Sequence, residues 1–378
     1  MANTLTPHIS DLYVALDYVS RELVGMIPAV SMDARIDRAA VNQTVNSFVS
    51  PASNATFDIT PAMAVPAASD STFGNVEVKI TKAKGVPFSW NGNEQVSLGG
   101  QYLSFKQAQM AQAMRTLVNL VEADLTALHA TTSRAYGTVG TTPFTTVNDF
   151  TDLTRTLQIL KDNGAPLQDN HLVMNTTAGA QFLGKQSAAN QQGTDSILRQ
   201  GILVDTSGCA LRESAQIVTN TAGTVTATVD ATGYAVGTTT LTLSAAAVAL
   251  VVGDIVTFAG DTNKYVIVGG TLANAGTLII GAPGLRVAMS AATKAITVVA
   301  ASPRNMVFNR NAIYLATRLP ERPIEGDMAL DVMTLTDPRS GLSFEVAVYP
   351  GQRMVRYEVC LAWGVKNVKP EHTAILLG

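Results

Sequence analysis

Four histidines and two cysteines are the residues of this sequence best suited to metal binding, proton transfer or nucleophilic attack. His8, His129, His171 and His372 stand in four separate contexts, with no His-x-x-x-His or His-x-Glu pairing of the kind that holds a metal. Cys209 and Cys360 lie far apart and neither belongs to a Cys-x-x-Cys pair, so they read as reduced, buried thiols. His129, beside Leu128, and His372, in Lys369-Pro370-Glu371-His372, read as packed or surface side chains. No Gly-x-Ser-x-Gly elbow, Walker loop or dinucleotide-binding glycine loop occurs. Gly269-Gly270 and Gly281-Ala282-Pro283-Gly284 separate short strands and read as hairpin turns. The 29 acidic residues include no pair that sequence singles out for acid/base work. No catalytic, cofactor-binding or metal-binding residue is assigned, and no cofactor is expected.

One basic cluster remains: Lys79, Lys82 and Lys84. It reads either as a solvated strand edge protected from aggregation by its lysines, or as a docking face for an acidic partner, including a neighbouring copy of the same chain. Charge is otherwise scarce. The 378 residues carry 26 Lys+Arg and 29 Asp+Glu, a net of −3, and 15% charged residues compares with about 25% in soluble domains. With 47% hydrophobic residues the chain is not of the disordered class, and it lacks the clustered cations of a nucleic-acid coat. The longest apolar run, Leu243 to Val252, falls short of the ~20 residues that span a bilayer, so no membrane association is expected. The first residues lack a basic n-region and an apolar h-region, which predicts folding in a cytoplasm.

The elements that must position these residues follow from periodicity. Leu12 to Ile27 reads as a short amphipathic helix ended by Pro28, and Ser31 to Arg38 as a solvated or partner-facing segment of interleaved charges. Phe48 to Asn75 is rich in Pro, Ala, Ser, Thr and Asn, with Asp58 and Asp70 its only charges. Val76 to Lys82 alternates as a strand, a second short strand is predicted at Val86 to Trp90, and Asn91-Gly92-Asn93 supplies turn chemistry. The stretch is too polar to bury a core of its own. It reads as an extended arm and hairpin lying on something else, or as a long excursion packed on its own chain.

Ser104 opens the strongest helical pattern, running to about Thr132, with Ser104 as N-cap and Gln107 completing a capping box. Phe150 to Asn163 predicts a helix closed by Gly164 and Pro166, His171 to Met174 a strand, and Thr176 to Leu183 and Ser196 to Arg199 further helix around a mobile loop, Gly184 to Thr194. From Gln216 to Ser302 six short β-runs, Val225 to Val229, Thr239 to Ser244, Ile255 to Ala259, Tyr265 to Val268, Thr277 to Ile280 and Ala295 to Val299, suggest a small all-β barrel or sandwich inserted into a host domain.

That order, together with Arg304-Asn305-Met306-Val307-Phe308-Asn309-Arg310-Asn311-Ala312, Ala316-Thr317-Arg318-Leu319-Pro320, Gly341-Leu342-Ser343-Phe344, Arg356-Tyr357-Glu358-Val359 and Ala362-Trp363-Gly364-Val365-Lys366-Asn367-Val368-Lys369-Pro370-Glu371, resembles the major capsid protein of tailed bacteriophages. The resemblance is to the short-tailed-phage branch whose coat carries an inserted β-barrel. Val19 to Gly25 is similar to the family's N-arm helix. The resemblance implies an α+β fold of the Hong Kong phage type: an N-terminal arm over 1–47, an extended loop over 48–100, the peripheral domain with a long spine helix and the first part of the axial domain over 101–215, an inserted β-barrel over 216–302, and the return to the axial and peripheral core over 303–378.

It further implies a non-enzymatic subunit that self-assembles as hexamers and pentamers into an icosahedral virion shell, built in the host cytoplasm with scaffolding and portal proteins. The shell would enclose double-stranded DNA without sequence-specific binding. Phe48, Phe57, Phe73, Glu77, Lys79, Lys82, Lys84 and Trp90 are the expected inter-subunit contacts. The inserted unit's bridging hairpin is trimmed to Asp230 to Gly237, no lysine or asparagine stands in a crosslinking motif, and no cleavable scaffold-like region is expected. Two alternatives stay open: an encapsulin-like cellular compartment shell packaging a cargo enzyme, and an enzyme of unrecognised type.

Overall fold

The computed structural model describes residues 24–49, 61, 74–146, 149–188, 203, 205–217, 219–337 and 341–378. Phe57, Phe73, most of the predicted N-terminal helix, residues 189–194 of the predicted loop and Ser196 to Arg199 lie outside them. In chain order the strands are β1 (Ser31–Ala39), β2 (Thr44–Val49), β3 (Gly74–Lys79), β4 (Lys82–Asn91), β5 (Arg134–Tyr136), β6 (Asn170–Met174), β7 (Cys209–Glu213), β8 (Thr224–Val225), β9 (Thr228–Val229), β10 (Thr240–Thr242) and β11 (Val248–Ala249). There follow β12 (Ile255–Phe258), β13 (Lys264–Gly269), β14 (Thr277–Ile280), β15 (Lys294–Val298), β16 (Arg304–Asn309), β17 (Ile313–Pro320), β18 (Asp331–Thr336), β19 (Ser343–Gly351), β20 (Met354–Asn367) and β21 (Thr373–Leu377). The helices are α1 (Gly92–Leu98), α2 (Tyr102–Thr126), α3 (Thr151–Asp162) and α4 (Thr176–Ala188).

Two large sheets organise the chain. One runs β1-β17-β20-β19-β18, with β4 also paired to β20; the other runs β7-β6-β16-β21-β5-β13-β12-β15-β9, with β14 bridging β13 and β10. β2 and β3 form a separate antiparallel hairpin. Helix α2 lays Met110, Met114, Leu117, Val121 and Leu125, at spacings of three and four, against Phe344, Val359, Leu361 and Trp363 of the first sheet. Each such fully buried side chain is worth about 1.5–3 kcal/mol relative to exposure. A second core joins Leu153, Leu157 and Leu160 of α3 to Leu172, Phe182 and Leu376. A third, including Val256, Tyr265 and Leu278, is drawn wholly from residues 225–298.

The helix predicted from Ser104 begins at Tyr102, because Gly99–Gln101 already turn in 3-10 geometry ahead of it. Ser104 is thus inside the helix and donates its hydroxyl to Gln101 O at 2.8 Å instead of capping. The capping box lies where a turn was predicted: Asn91 Oδ1 accepts the Glu94 amide at 2.8 Å and Glu94 Oε2 accepts the Asn91 amide at 3.0 Å, opening α1. α2 ends at Thr126 and continues as a 3-10 turn over Ala127–Thr131. The helix over Thr151–Asp162 closes on Asn163 and a left-handed Gly164, as its sequence predicts. Residues 184–188, predicted as loop, continue α4.

Long-range pairing adds what local spacing does not show. The interleaved charges of Ser31 to Arg38 form β1, parallel to β17; Arg35 to Asp37 are exposed, as a solvated segment would be, while at its ends Asp33 receives Arg318 at 2.7 Å and Arg38 reaches Glu345 at 2.5 Å. The β-unit has an apolar core of its own but also joins the host. β13 pairs with β5 through Lys264↔Ala135 and Tyr265↔Arg134, so its sheet continues into the host's, and Ile255 and Val266 pack with the host's Ala135, Ile375 and Leu377.

Candidate assembly surface

Of the residues with chemical potential, His129, His171, His372, Cys209 and Cys360 are partly or fully buried, and His8 lies outside the described residues. His129 Nδ1 hydrogen-bonds the Thr126 carbonyl at 3.0 Å and His171 Nε2 hydrogen-bonds Asp169 Oδ1 at 3.0 Å. Burial holds both imidazoles, and that of His372, below their ordinary range. Cys209 is pushed up to about 12 by burial, as is Cys360, where Glu358 adds to the effect; neither is a thiolate nucleophile near neutral pH. Among the described residues no three His, Cys, Asp or Glu side chains come together as metal ligands, and no helix is long and apolar enough to cross a membrane.

The scarce buried charges serve as ties between elements. Glu122 of α2, with no solvent exposure, accepts the backbone amides of Gly25 at 2.8 Å, Met26 at 2.7 Å and Ile27 at 3.1 Å. Burial pushes its carboxyl up, and the amides and Ser214 pull it only part of the way back. Two residues further on, Asp124 accepts Lys82 Nζ at 2.6 Å and the Trp363 indole N–H at 2.8 Å, joining β4 and β20 to the helix. Glu345 takes Arg38 at 2.5 Å and Arg322 at 3.0 Å.

The predicted contact residues divide accordingly. Glu77 and Lys79 of β3 and Lys84 of β4 are exposed, and the Glu77 carbonyl accepts Lys366 Nζ at 2.8 Å. Phe48 stands opposite Asn75 in the β2–β3 register. Lys82 is engaged by Asp124, so the lysine cluster is not a uniform free edge. Trp90 is a correction: only 9% exposed, it packs edge-on against Tyr102 at 5.4 Å in the α2 core, because β4 pairs along β20 and turns that side chain inward. Phe57 and Phe73 lie outside the described residues.

The molecule also presents apolar side chains to solvent. Val96, Leu103 and Phe105 are exposed around the α1–α2 junction, and Ile324, Met328 and Leu330 around the turn Pro323–Gly326 between β17 and β18. The second group was missed in the sequence, although an aliphatic residue between Pro323 and Gly326 is an available signal.

No protein-family model matches the chain, and no curated protein matches its sequence. Among solved structures, a chain of the capsid of cyanophage P-SCSP1u aligns over 92% of this chain and 86% of its own, with a TM-score of 0.50 at 10% identity. The fold is that of a phage capsid chain. Lower TM-scores, 0.47 and 0.46, relate it to the capsid of a native GTA particle (9% identity, 94% and 90% covered) and to Mycobacterium phage Che8 (11% identity, 93% and 90% covered). At 10% identity the cyanophage likeness extends to the fold alone, and residue roles rest on the geometry above.

Proposed function

We propose that this chain is a non-enzymatic structural subunit that assembles with copies of itself into the icosahedral shell of a tailed phage, enclosing double-stranded DNA. The observation that carries the reading is the capsid fold shared with the cyanophage chain over 92% of this one. The charge-poor sequence and the exposed Ile324, Met328 and Leu330 support it, since surface that copies cover need not be ionic.

In the finer reading, which follows the short-tailed-phage resemblance, residues 1–47 are an N-terminal arm and 48–100 an extended loop. Residues 101–215 form the peripheral domain, with α2 as its spine helix, and the start of the axial domain; 216–302 are the inserted β-barrel and 303–378 the return to the core. Within the extended loop β4 runs along β20 and β3 is tied to the same chain through Lys366 and the Glu77 carbonyl, while the exposed Glu77, Lys79 and Lys84 face a neighbour. Hexamers and pentamers form with scaffolding and portal proteins in the host cytoplasm, and the DNA is held without sequence readout in the finished virion. Expression of the full chain, alone and with a scaffolding partner, tests the proposal by sedimentation and negative-stain microscopy. Closed particles are the expected outcome, and a monomer at every concentration under both conditions overturns it. Particles carrying a single host enzyme in place of DNA would identify a compartment shell instead.

A further inference from the structure

Between β5, α3 and the turn leading into β13 lies a cavity of about 430 Å³, lined by Arg134, Arg155 and Lys264 with Asp162 as its one acidic side chain. Three cations against one carboxylate is a local excess of positive charge in a chain whose net charge is −3.

Among the described residues none of the three cations has a carboxylate to itself. Arg134 is 5% exposed, yet its Nη1 donates to Asn263 Oδ1 at 3.2 Å and its Nη2 to Asn163 Oδ1 at 3.4 Å, both neutral amides. Asp162 stands 3.8 Å from Arg134 and is shared with Arg286 at 4.0 Å. Arg134 Nε, buried, has no hydrogen-bond partner among the described residues. Lys264 donates to the Gly137 carbonyl at 2.6 Å, and the exposed Arg155 to Gln158 Oε1 at 3.0 Å, again neutral acceptors. A buried guanidinium with a donor left over, whose carboxylate is distant and shared with a second arginine, is costly unless something completes it. Burial first, then Arg286, holds Arg134 below its usual range, and burial does the same to Lys264, the direction expected of cations short of an anion.

We propose that this cavity binds a phosphate group. The donors arrive from β5, α3 and β13, so they surround an anion from several sides, whereas a carboxylate prefers the planar fork of a single arginine. A phosphate monoester or free phosphate carries about −1.5 to −2 at pH 7, which matches the excess of two positive charges on the lining. The cavity is larger than one phosphate and admits a phosphate that is part of a larger molecule. Free phosphate and a nucleic-acid backbone offer the same chemistry. The site is independent of the shell reading.

The test titrates inorganic phosphate into the full-length chain at ionic strength fixed with sodium chloride, reading ³¹P line width and heat. It compares the wild type with Arg155→Gln and Asp162→Asn, both at exposed positions, with folding checked by circular dichroism and assembly state by sizing. Saturable binding that Arg155→Gln weakens about tenfold and Asp162→Asn tightens is expected, since one change removes a charge-assisted donor and the other a competing anion. A labelled DNA duplex forms the second arm. If the duplex and not free phosphate shows this paired response, the phosphate is delivered by nucleic acid. Absence of saturable binding in both arms, or binding indifferent to both substitutions, overturns the proposal.

Discussion

His129, His171 and His372 are each held below the ordinary imidazole range, with burial the largest cause, and at His129 the buried Arg304 adds to it. A histidine whose folded pKa is depressed binds its proton more readily in the unfolded chain. Its contribution to stability is therefore present above the unfolded value of about 6.5 and is lost as pH falls through the folded value. Glu122 and Glu213 act in the opposite sense: burial raises both, so their contribution is lost as pH rises through their folded values, above the usual 4.5. In thermal melts from about pH 7 down to about pH 5 the midpoint of His129→Gln should fall less, or rise more, than that of the wild type. An unchanged slope in His129→Gln would remove His129 from the acid response. The sequence permits reading His129 as a packed side chain, and its hydrogen bond to Thr126 agrees. Glu122 had no such signal. Its partners are backbone amides 95 to 97 residues away, and an amide leaves no trace in the side-chain pattern.

Helices and alternating strands were legible where local periodicity and capping agree, as in α3 with its Asn163 and Gly164 end. β4 was read too short, at Val86 to Trp90, because Gly85 and Pro87 lower strand propensity; pairing with β20 from Lys82 to Asn91 overrides it, and Pro87 is tolerated because β20 is its only paired neighbour. The close of β20 shows why a Trp-Gly pair belongs there. Trp363 fills the core and ties to Asp124, while a Cβ on Gly364 would stand 1.9 Å from the Lys79 carbonyl, a backbone atom that cannot swing aside. The hairpin is seated at that point: Thr81 N–H donates to Trp363 O at 3.1 Å and Ile80 N–H to Gln43 O at 2.9 Å. Gly364→Ala should cost about 1–3 kcal/mol by overpacking and lift β3 from β20. Hydrogen exchange at Ile80 and Thr81 should quicken well before that of the α2 amides. Equal protection in the variant and the wild type would mean that the hairpin docks independently of this contact.

The 15% charge content of the whole chain has a physical counterpart in where the charges sit. Glu122, Asp124, Glu345, Asp33 and Arg318 are spent inside or at seams, tying β1, β4, β20 and the chain entry to the core. The tips are left apolar: Ile324 is fully exposed at 104%, and Met328 is exposed at 79%. A shell closed by such contacts is held by apolar burial, which salt strengthens, and not by ion pairs, which salt screens. Raising sodium chloride from about 0.1 M to about 1 M shortens the screening length from about 10 Å to about 3 Å, and closed particles should survive it. Ile324→Asp with Met328→Asp should leave the single chain's melt within about 0.5 kcal/mol of the wild type, because neither side chain packs against its own fold. Closure itself should fail, since two carboxylates would have to be buried unpaired at every repeat of the contact. Particles that fall apart in salt, or that close normally from the doubly substituted chain, would assign the contacts to the charged hairpin edge of Glu77, Lys79 and Lys84 instead.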